Sequence, residues 1–122
     1  MVKMQRAATL KQNTEFHRAY GRGKVKASPA LVTYVVKNRG QGIRIGITAA
    51  KKLGSAVERN RCRRIIRAAF SSIYPDCGGN YDIVFVARFK TKKLRSNDIE
   101  PVMRSHLTEL GVIRSSAGAD FS

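Results

Sequence analysis

The sequence predicts a single α+β domain in which helices pack on one central β-sheet. Segments of strand composition alternate with segments of helical periodicity, and 122 residues with 43% hydrophobic content suffice for one core. We assign residues 1–113 to this domain. Residues 114–122 are small and polar without periodicity, so a disordered tail is expected there.

The first helix is predicted to begin at Asn13, because asparagine often caps helix N-termini. Phe16 and Tyr20 are four positions apart and therefore share one face of this helix. Gly21 and Gly23 follow and are expected to end it.

Two strand segments come next, at residues 30–37 and 43–49. The first is rich in β-branched and aromatic residues, and the second alternates isoleucine with polar or small residues. Residues 38–42 between them, Asn-Arg-Gly-Gln-Gly, are typical of a turn. The two strands are therefore predicted to pair as a hairpin.

A long helix is predicted over residues 56–73. Ser55 and Glu58 form a capping-box pattern at its start, in which their side chains accept hydrogen bonds from free backbone N–H groups. Apolar residues at spacings of three and four mark the face toward the core, and these are Cys62, Ile66, Ala69 and Ile73. The arginines of this segment lie elsewhere on the helix.

A strand and a last helix complete the domain. Residues 81–88 form a near-continuous apolar run, which predicts a central, buried strand. Asn97 or Asp98 is expected to cap the last helix. Pro101 is then placed in the first turn and Gly111 at the end. The apolar face of this helix comprises Ile99, Val102, Met103, Leu107 and Leu110.

The charge is strongly one-sided, because 24 Lys and Arg against 8 Asp and Glu give a formal net charge of +16. Such a charge on one small domain predicts a polyanionic partner. Five arginines lie within residues 59–67, and guanidinium groups bind phosphate oxygens in a bidentate manner. A merely solubilising face is the alternative, but ordinary exposed helices mix both signs and only Glu58 is nearby. The candidate RNA-contacting residues are Lys51, Lys52, Arg59, Asn60, Arg61, Arg63, Arg64 and Arg67.

A second basic cluster follows the buried strand, in what is expected to be a loop. Its members are Arg88, Lys90, Lys92, Lys93 and Arg95. A flexible electrostatic contact and a merely solvated loop are both open interpretations, since loops tolerate charge without a function.

Three aromatic residues are candidates for stacking unpaired bases: Phe16, Tyr20 and Tyr34. The alternative is that all three belong to the core, and helical periodicity alone favours that interpretation.

Other classes of function have little support in the sequence. His17 and His106 are isolated, and the acidic residues show neither catalytic nor metal-ligand spacing, so no catalytic residue and no metal site are assigned. Cys62 and Cys77 are expected to be reduced thiols in or near the core. Every apolar run is far shorter than the ~20 residues of a membrane span, and no secretory signal is visible, so a cytoplasmic protein is expected.

Residues 44–67 closely resemble the signature of the bacterial ribonuclease P protein subunit. The shared features are Arg-x-Gly on a strand, then Lys-Lys, then Gly-x-Ala-Val-x-Arg-Asn-Arg-x-x-Arg. The resemblance extends over roughly residues 9–110. Ala50 and Cys62 depart from it, since a small hydroxyl residue and an aliphatic residue are usual at those positions.

The resemblance implies an α+β fold like the second domain of ribosomal protein S5, with a left-handed βαβ crossover around the arginine-rich helix. This is contrary to the right-handed crossover that parallel strands normally adopt. It also implies two partners, ribonuclease P RNA and precursor tRNA, with no membrane and no obligate protein partner. The RNA would remove the 5′ leader, using magnesium ions held mainly by RNA and substrate.

In that family the Arg-Asn-Arg helix and the adjacent lysines lie against the catalytic RNA, and a cleft between the first helix and the sheet holds the single-stranded leader. The residues that map onto the cleft are Phe16, Tyr20, Tyr34 and Arg88. The alternative function is that of a ribosomal or ribosome-assembly protein that binds structured RNA and serves no enzyme.

Overall fold

The structure, a computed structural model, describes residues 7–113, and the predicted tail at 114–122 lies outside these residues. It is an α+β fold with one central sheet, as predicted, and the sheet has five strands, of which β1 and β2 were not predicted. The elements are β1 (Ala8–Thr9), α1 (Asn13–Arg22), β2 (Lys24–Ala27), β3 (Leu31–Lys37), β4 (Ile43–Thr48), α2 (Ala56–Ile73), β5 (Tyr81–Ala87) and α3 (Ser96–Glu109). Short 3-10 helices span Lys51–Leu53, Tyr74–Asp76 and Phe89–Lys93.

The sheet has the strand order β1-β4-β5-β3-β2, so β5 is central, as its apolar composition predicts. The predicted β3–β4 hairpin is wrong. Strand β5 lies between the two, antiparallel to β3 and parallel to β4. A local turn pattern indicates only that the chain reverses direction. Here β5, which is distant in sequence and forms hydrogen bonds along both of its edges, lies between β3 and β4.

The turn at residues 38–42 still exists, and its backbone is joined to the start of β5. The Asn38 N–H donates to the Asn80 carbonyl over 3.0 Å, and the Tyr81 N–H donates to the Gly42 carbonyl over 3.1 Å. Gly40 and Gly42 have φ values of 66° and 68°, which favour glycine. The turn chemistry was therefore interpreted correctly although the pairing was not.

Each long helix begins with an acidic residue that reaches back to the N-cap backbone. Helix α2 starts as predicted, with the Ser55 N–H donating to Glu58 and the Glu58 N–H donating to the Ser55 hydroxyl. The other two caps were predicted wrongly. Gln12 precedes α1 and Arg95 precedes α3, because Glu15 and Asp98 accept the N–H groups of these N-cap residues from the third helical position.

Pro101 is not in the first turn of α3 but is the sixth residue of a helix that begins at Ser96. Proline lacks an N–H, so the Asn97 carbonyl has no partner four residues on. Both Asn97 and Pro101 are exposed, which leaves that carbonyl open to water. The helix ends as predicted, with Gly111 at a φ of 88°.

The two faces of the sheet carry separate apolar clusters. Helices α2 and α3 cover the larger one, in which Ile66, Phe70 and Met103 pack with sheet residues such as Ile83 and Phe85. The stripe predicted on α2 is buried, as are Ile99, Met103 and Leu107 of α3. Helix α1 covers only part of the other face, so its cluster is small.

Both cysteines are free, with Cys62 fully buried and Cys77 partly buried, as predicted. Burial raises the pKa of the Cys77 thiol to about 12, so it is protonated at neutral pH. Within residues 7–113, no helix is long and apolar enough to cross a membrane. The handedness of the β4-α2-β5 crossover stays a prediction of the family resemblance.

Candidate RNA interface

The cationic surface of α2 begins one turn before the helix. Lys51 and Lys52 are both exposed on the 3-10 helix that precedes it. Gly54 then adopts a φ of 145°, and a side chain at this position would collide with the Glu58 carboxylate. Glycine therefore permits the tight approach that brings the two lysines next to the start of α2.

Glu58 pairs with Lys92 and not with the arginines of α2, so it leaves most of the positive charge of the helix in place. It accepts a hydrogen bond from the Ser55 N–H, and the Lys92 ammonium lies 3.4 Å from it. These two contacts, the backbone hydrogen bond first, hold the pKa of Glu58 below its usual value. The carboxylate thus stays ionised, caps α2 and holds Lys92 beside it.

The predicted arginines do not form one uniform surface. Arg64 and Arg67 are exposed, whereas Arg59, Arg61 and Arg63 are partly buried. The Arg59 guanidinium donates to the Gly54 carbonyl over 3.3 Å. The face that is open to a partner therefore centres on the C-terminal part of the basic segment.

Arg61 points away from that open face. Its guanidinium donates to the carbonyl oxygens of Lys92, over 2.7 Å, and of Leu94, over 3.0 Å. It thereby joins α2 to the 3-10 helix Phe89–Lys93, where a loop had been predicted. Sequence spacing could not indicate this role, because the two segments are 31 to 33 residues apart.

An open cleft lies between α1 and the end of β4, with a volume of about 330 Å³. Its lining residues are Asn13, Phe16, His17, Tyr20, Ile47, Thr48, Ala49 and Arg63. Two of the predicted aromatics, Phe16 and Tyr20, are thus brought together. The cleft also includes Arg63 of α2, so the aromatic and arginine sets meet at one edge.

Gly46, the glycine of the Arg-x-Gly pattern, allows Phe16 to lie directly on the backbone of β4. A Cβ atom at this position would be 2.5 Å from two carbons of the Phe16 ring. Real Cβ atoms do not approach so closely, so the position of the Phe16 ring requires glycine here. Phe16 is partly buried as a result and is both a core residue and a wall of the cleft.

Tyr20 is the more accessible aromatic, with 38% of its surface exposed. Its hydroxyl shares a 2.9 Å hydrogen bond with the Thr48 hydroxyl, which fixes the ring orientation. The Tyr34 ring packs against it edge-on, with centroids 4.9 Å apart. Tyr34 therefore supports the cleft from below rather than lining the cavity.

Arg88, the fourth predicted cleft residue, is exposed but does not line the cavity. Its guanidinium donates to the Ser28 carbonyl over 3.1 Å. This contact places it at the start of β3, beside the end of β5. The structure brings Arg88 to the same end of the sheet as the cleft, but not into the cavity.

A partly buried ion pair at the opposite end of the sheet is absent from the sequence-based predictions. Arg44 donates twice to the Asp82 carboxylate, at 2.8 Å each, and once to Glu15 at 3.0 Å. The hydrogen bond with Asp82 raises the pKa of Arg44. The sequence offers one indication of this pair, which is the acid Asp82 at the start of an otherwise apolar strand. A buried carboxylate needs a partner, so a basic residue is expected near it.

Arg44 also borders a second, polar cavity of about 430 Å³ on the other flank of α1. The remaining lining residues are Arg18, Arg22, Asn38, Arg39 and Gln41. The Arg18 guanidinium donates to the Lys37 carbonyl over 2.6 Å. These arginines are scattered in the sequence, so only the fold assembles them.

Neither histidine belongs to a catalytic arrangement among the described residues. His106 is buried, bonded to the Thr33 hydroxyl over 2.9 Å, and burial lowers its pKa. His17 lines the cleft and packs edge-on against Tyr20, with ring centroids 6.5 Å apart. Residues 7–113 contain no cluster of three His, Cys, Asp or Glu side chains able to hold a metal ion.

Comparisons with known proteins identify the family of the chain. The family model described as Ribonuclease P matches residues 4–111. The ribonuclease P protein component of Clostridioides difficile is 38% identical over 105 residues, covering 85% of this chain and 92% of that protein. That of Oceanobacillus iheyensis is 33% identical over 114 residues, covering 93% and 94%.

Solved structures show the same fold. The Staphylococcus aureus RNase P protein at 2.0 Å superposes with a TM-score of 0.77 and 31% identity, covering 89% of this chain and 100% of that one. The Thermotoga maritima RNase P protein has a TM-score of 0.70 at 24% identity, which shows the fold alone. From the family model and the sequence identities together, the chain belongs to the ribonuclease P protein family.

Proposed function

We propose that this chain is the protein subunit of a ribonuclease P ribonucleoprotein and assists a catalytic RNA in removing the 5′ leader from precursor tRNA. The observation that carries the proposal is the junction at Arg63. This residue of the arginine-rich helix lines the same cavity as Phe16 and Tyr20. The surface around Arg63 is therefore suited to contact a structured RNA and a single-stranded RNA at the same time.

The α2 surface is the proposed contact with the RNA subunit. Its exposed residues include Lys51, Lys52, Asn60, Arg64 and Arg67. Structured RNA presents phosphate oxygens at its surface, and guanidinium groups bind these in a bidentate manner. Glu58 is the one acidic residue of α2 and is paired with Lys92, so the arginines keep the surface cationic.

The cleft is the proposed site of the leader. Its aromatic wall is partly open, and Tyr20 is held in place by Thr48 and Tyr34. Unpaired bases stack on such rings, and each stacked base contributes about 1–3 kcal/mol. A duplex cannot offer its base faces in this way, which favours a single strand as the occupant.

In this proposal the chemical step belongs to the RNA subunit, with magnesium ions held mainly by RNA and substrate. The protein contributes by neutralising phosphates where two RNAs meet. Close phosphates otherwise require a high concentration of magnesium ions to screen their repulsion. The chain should therefore lower the magnesium requirement and strengthen precursor binding.

Reconstitution with a bacterial ribonuclease P RNA at low magnesium tests the proposal. We expect faster cleavage of precursor tRNA than with RNA alone. Arg64→Gln should reduce the gain, whereas Arg104→Gln removes the same charge from α3 and should not, since Arg104 is paired with Asp76 at 2.8 Å. An absence of any gain with the unchanged chain would overturn the proposal. Co-purification of ribosomal RNA instead would favour the ribosomal alternative.

A further inference from the structure

The 3-10 helix Phe89–Lys93 presents an aromatic ring to solvent outside both proposed surfaces. Phe89 is 57% exposed, more than any other phenylalanine or tyrosine within residues 7–113. The Lys92 ammonium lies 5.7 Å from its ring centroid. The surrounding cationic residues are Arg88, Lys90, Lys92, Lys93 and Arg95. An exposed ring in a strongly basic setting needs a physical explanation.

The segment is firmly fixed to the sheet. Thr91 is fully buried, and its hydroxyl donates to the Ala30 carbonyl over 2.6 Å. The same hydroxyl accepts the Arg88 N–H over 2.8 Å. These bonds tie the first turn after β5 to the start of β3, so Phe89 does not sit on a free loop.

The segment is also fixed to the arginine-rich helix. Arg61 donates to two carbonyl groups of the turn, those of Lys92 and Leu94. The Lys92 ammonium donates to the Leu53 carbonyl over 2.6 Å and pairs with Glu58. Two opposed sets of contacts therefore hold the backbone while the Phe89 ring stays outside the core. A ring carried on a fixed backbone segment loses less entropy when a flat ligand stacks on it than a ring on a free loop would.

We propose that Phe89 is a stacking platform for an unpaired nucleotide of the RNA subunit on which α2 docks. Lys90 and Lys93 would bind the phosphates on either side of that nucleotide. Both are exposed and form no ion pair within residues 7–113. Aromatic stacking combined with adjacent lysines is the chemistry by which proteins hold unpaired nucleotides. The identity of the RNA rests on the proposed function.

The RNA subunit is favoured over the leader by the way the platform is attached. Arg61 and Lys92 join it to α2 and to the residues just before α2. No residue of the segment Phe89–Lys93 lines the cleft that holds Phe16 and Tyr20. A strand in the cleft therefore has no need of Phe89, whereas an RNA lying on α2 reaches it directly.

The full chain contains no tryptophan, which makes a direct test available. Phe89→Trp introduces one fluorophore at the platform, and Val25→Trp introduces one at a control position on β2 that is also exposed. On titration with a bacterial ribonuclease P RNA, without substrate, we expect quenching of the tryptophan at 89 and none at 25. An unquenched tryptophan at 89 in a complex shown by gel shift to be saturated would overturn the proposal.

Affinity measurements separate stacking from simple burial. Phe89→Ala and Phe89→Leu should each weaken RNA binding about 5- to 150-fold, because a stacked base contributes about 1–3 kcal/mol, while Phe89→Trp retains affinity. Affinity of Phe89→Leu equal to that of the unchanged chain would count against stacking. Quenching at 89 that begins only when precursor tRNA is added would also refute the assignment, since the nucleotide would belong to the substrate.

A short oligonucleotide distinguishes failure of this inference from failure of the proposed function. Oligouridylate of about twelve nucleotides should quench the tryptophan at 89, and an RNA duplex of equal length should not. Suppose that oligouridylate quenches the tryptophan at 89 while the chain fails to assist ribonuclease P RNA. Stacking at position 89 would then stand, and the proposed ribonuclease P function would be overturned. Equal quenching by duplex and single strand would refute base stacking.

Discussion

Gly46 shows how a single atom determines the shape of the proposed leader site. Gly46→Ala would place a Cβ atom 2.5 Å from the Phe16 ring, so the ring or the strand must shift. Overpacking of this kind costs about 1–3 kcal/mol, which denaturant unfolding can measure. Gly21→Ala is the matched control, because nothing lies within 4 Å of its added Cβ atom and alanine favours a helix. Equal stability of the Gly46→Ala variant and the unchanged chain would contradict the close approach.

Tyr20 allows a cleaner test of the cleft than Phe16, since Phe16 also packs in the small apolar cluster. Tyr20→Ala should weaken binding of leader-bearing precursor by about 1–3 kcal/mol through loss of a stacked base. Tyr20→Phe keeps the ring and loses only the hydrogen bond to Thr48, so its effect should be small. Equilibrium binding to precursors with and without a leader is the measurement. A similar loss with leaderless tRNA would argue against base stacking at this position.

His106 predicts a pH dependence of stability. Burial lowers its pKa, so the folded state favours the neutral ring and the unfolded chain binds a proton more readily. Stability should therefore fall as the pH drops below the ordinary histidine value of about 6.5. Unfolding midpoints between about pH 7.5 and about pH 5.5 measure this, a range above the ordinary titration of carboxylates. His106→Gln should flatten the slope, because it removes the ring whose pKa burial lowers. An unchanged slope in His106→Gln would refute the assignment.

At the scale of elements, α2 and the 3-10 helix Phe89–Lys93 act as one unit. Arg61→Ala removes two hydrogen bonds from a charged donor and leaves two carbonyl groups without this partner. It should lower stability by about 1–3 kcal/mol and speed amide exchange in residues 89–94. Arg64→Ala is the control, because Arg64 is exposed and should affect RNA affinity without affecting stability. Identical stability of the two variants would show that Arg61 does not hold the turn.

The elements also show how much of the fold local sequence patterns predict. Local patterns predicted α2 to the residue, because its capping box and its buried stripe are encoded within eighteen neighbouring positions. Pairing of β3 with β4 failed, since strand partners depend on the whole chain and β5 competes for the same edges. The cap of α3 was misplaced because Asp98, one of its two predicted caps, is the acid at the third helical position. The cap of α1 was misplaced by one residue, because Asn13 is the first residue of the helix and Gln12 is the N-cap.

The candidate site was predictable only in part, for a similar reason. The spacing of Phe16 and Tyr20 puts them on one helix face, and the cleft contains both. The inward role of Arg61 was not visible, because its partners at 92 and 94 belong to a distant segment. Arginine content thus predicts a cationic helix, but the fold decides which guanidinium groups remain open to RNA.

At the scale of the whole molecule, the distribution of charge separates function from stability. Within residues 7–113, five acidic residues form ion pairs, and these are Glu15, Glu58, Asp76, Asp82 and Glu109. The chain has 24 basic residues against 8 acidic ones, so most cations lack an acidic partner. The fold therefore carries a repulsion that an RNA would relieve.

This repulsion predicts that the isolated protein becomes more stable as salt is added. Raising sodium chloride from about 0.05 M to about 0.5 M shortens the screening length and weakens repulsion between exposed cations. The partly buried pair of Arg44 and Asp82 is screened much less, so the stabilising contact should survive while the destabilising repulsion falls. Urea unfolding at each salt concentration measures the effect, with urea chosen because it is uncharged. A stability that falls with added salt would instead mean that surface ion pairs outweigh the repulsion at a net charge of +16.

The arginine-lined cavity beside Arg22 and Arg39 predicts a further effect of the anion itself. At equal ionic strength, sulfate should stabilise the protein more than chloride does, because anions occupy this cavity. The double variant Arg22→Gln with Arg39→Gln should remove that excess stability.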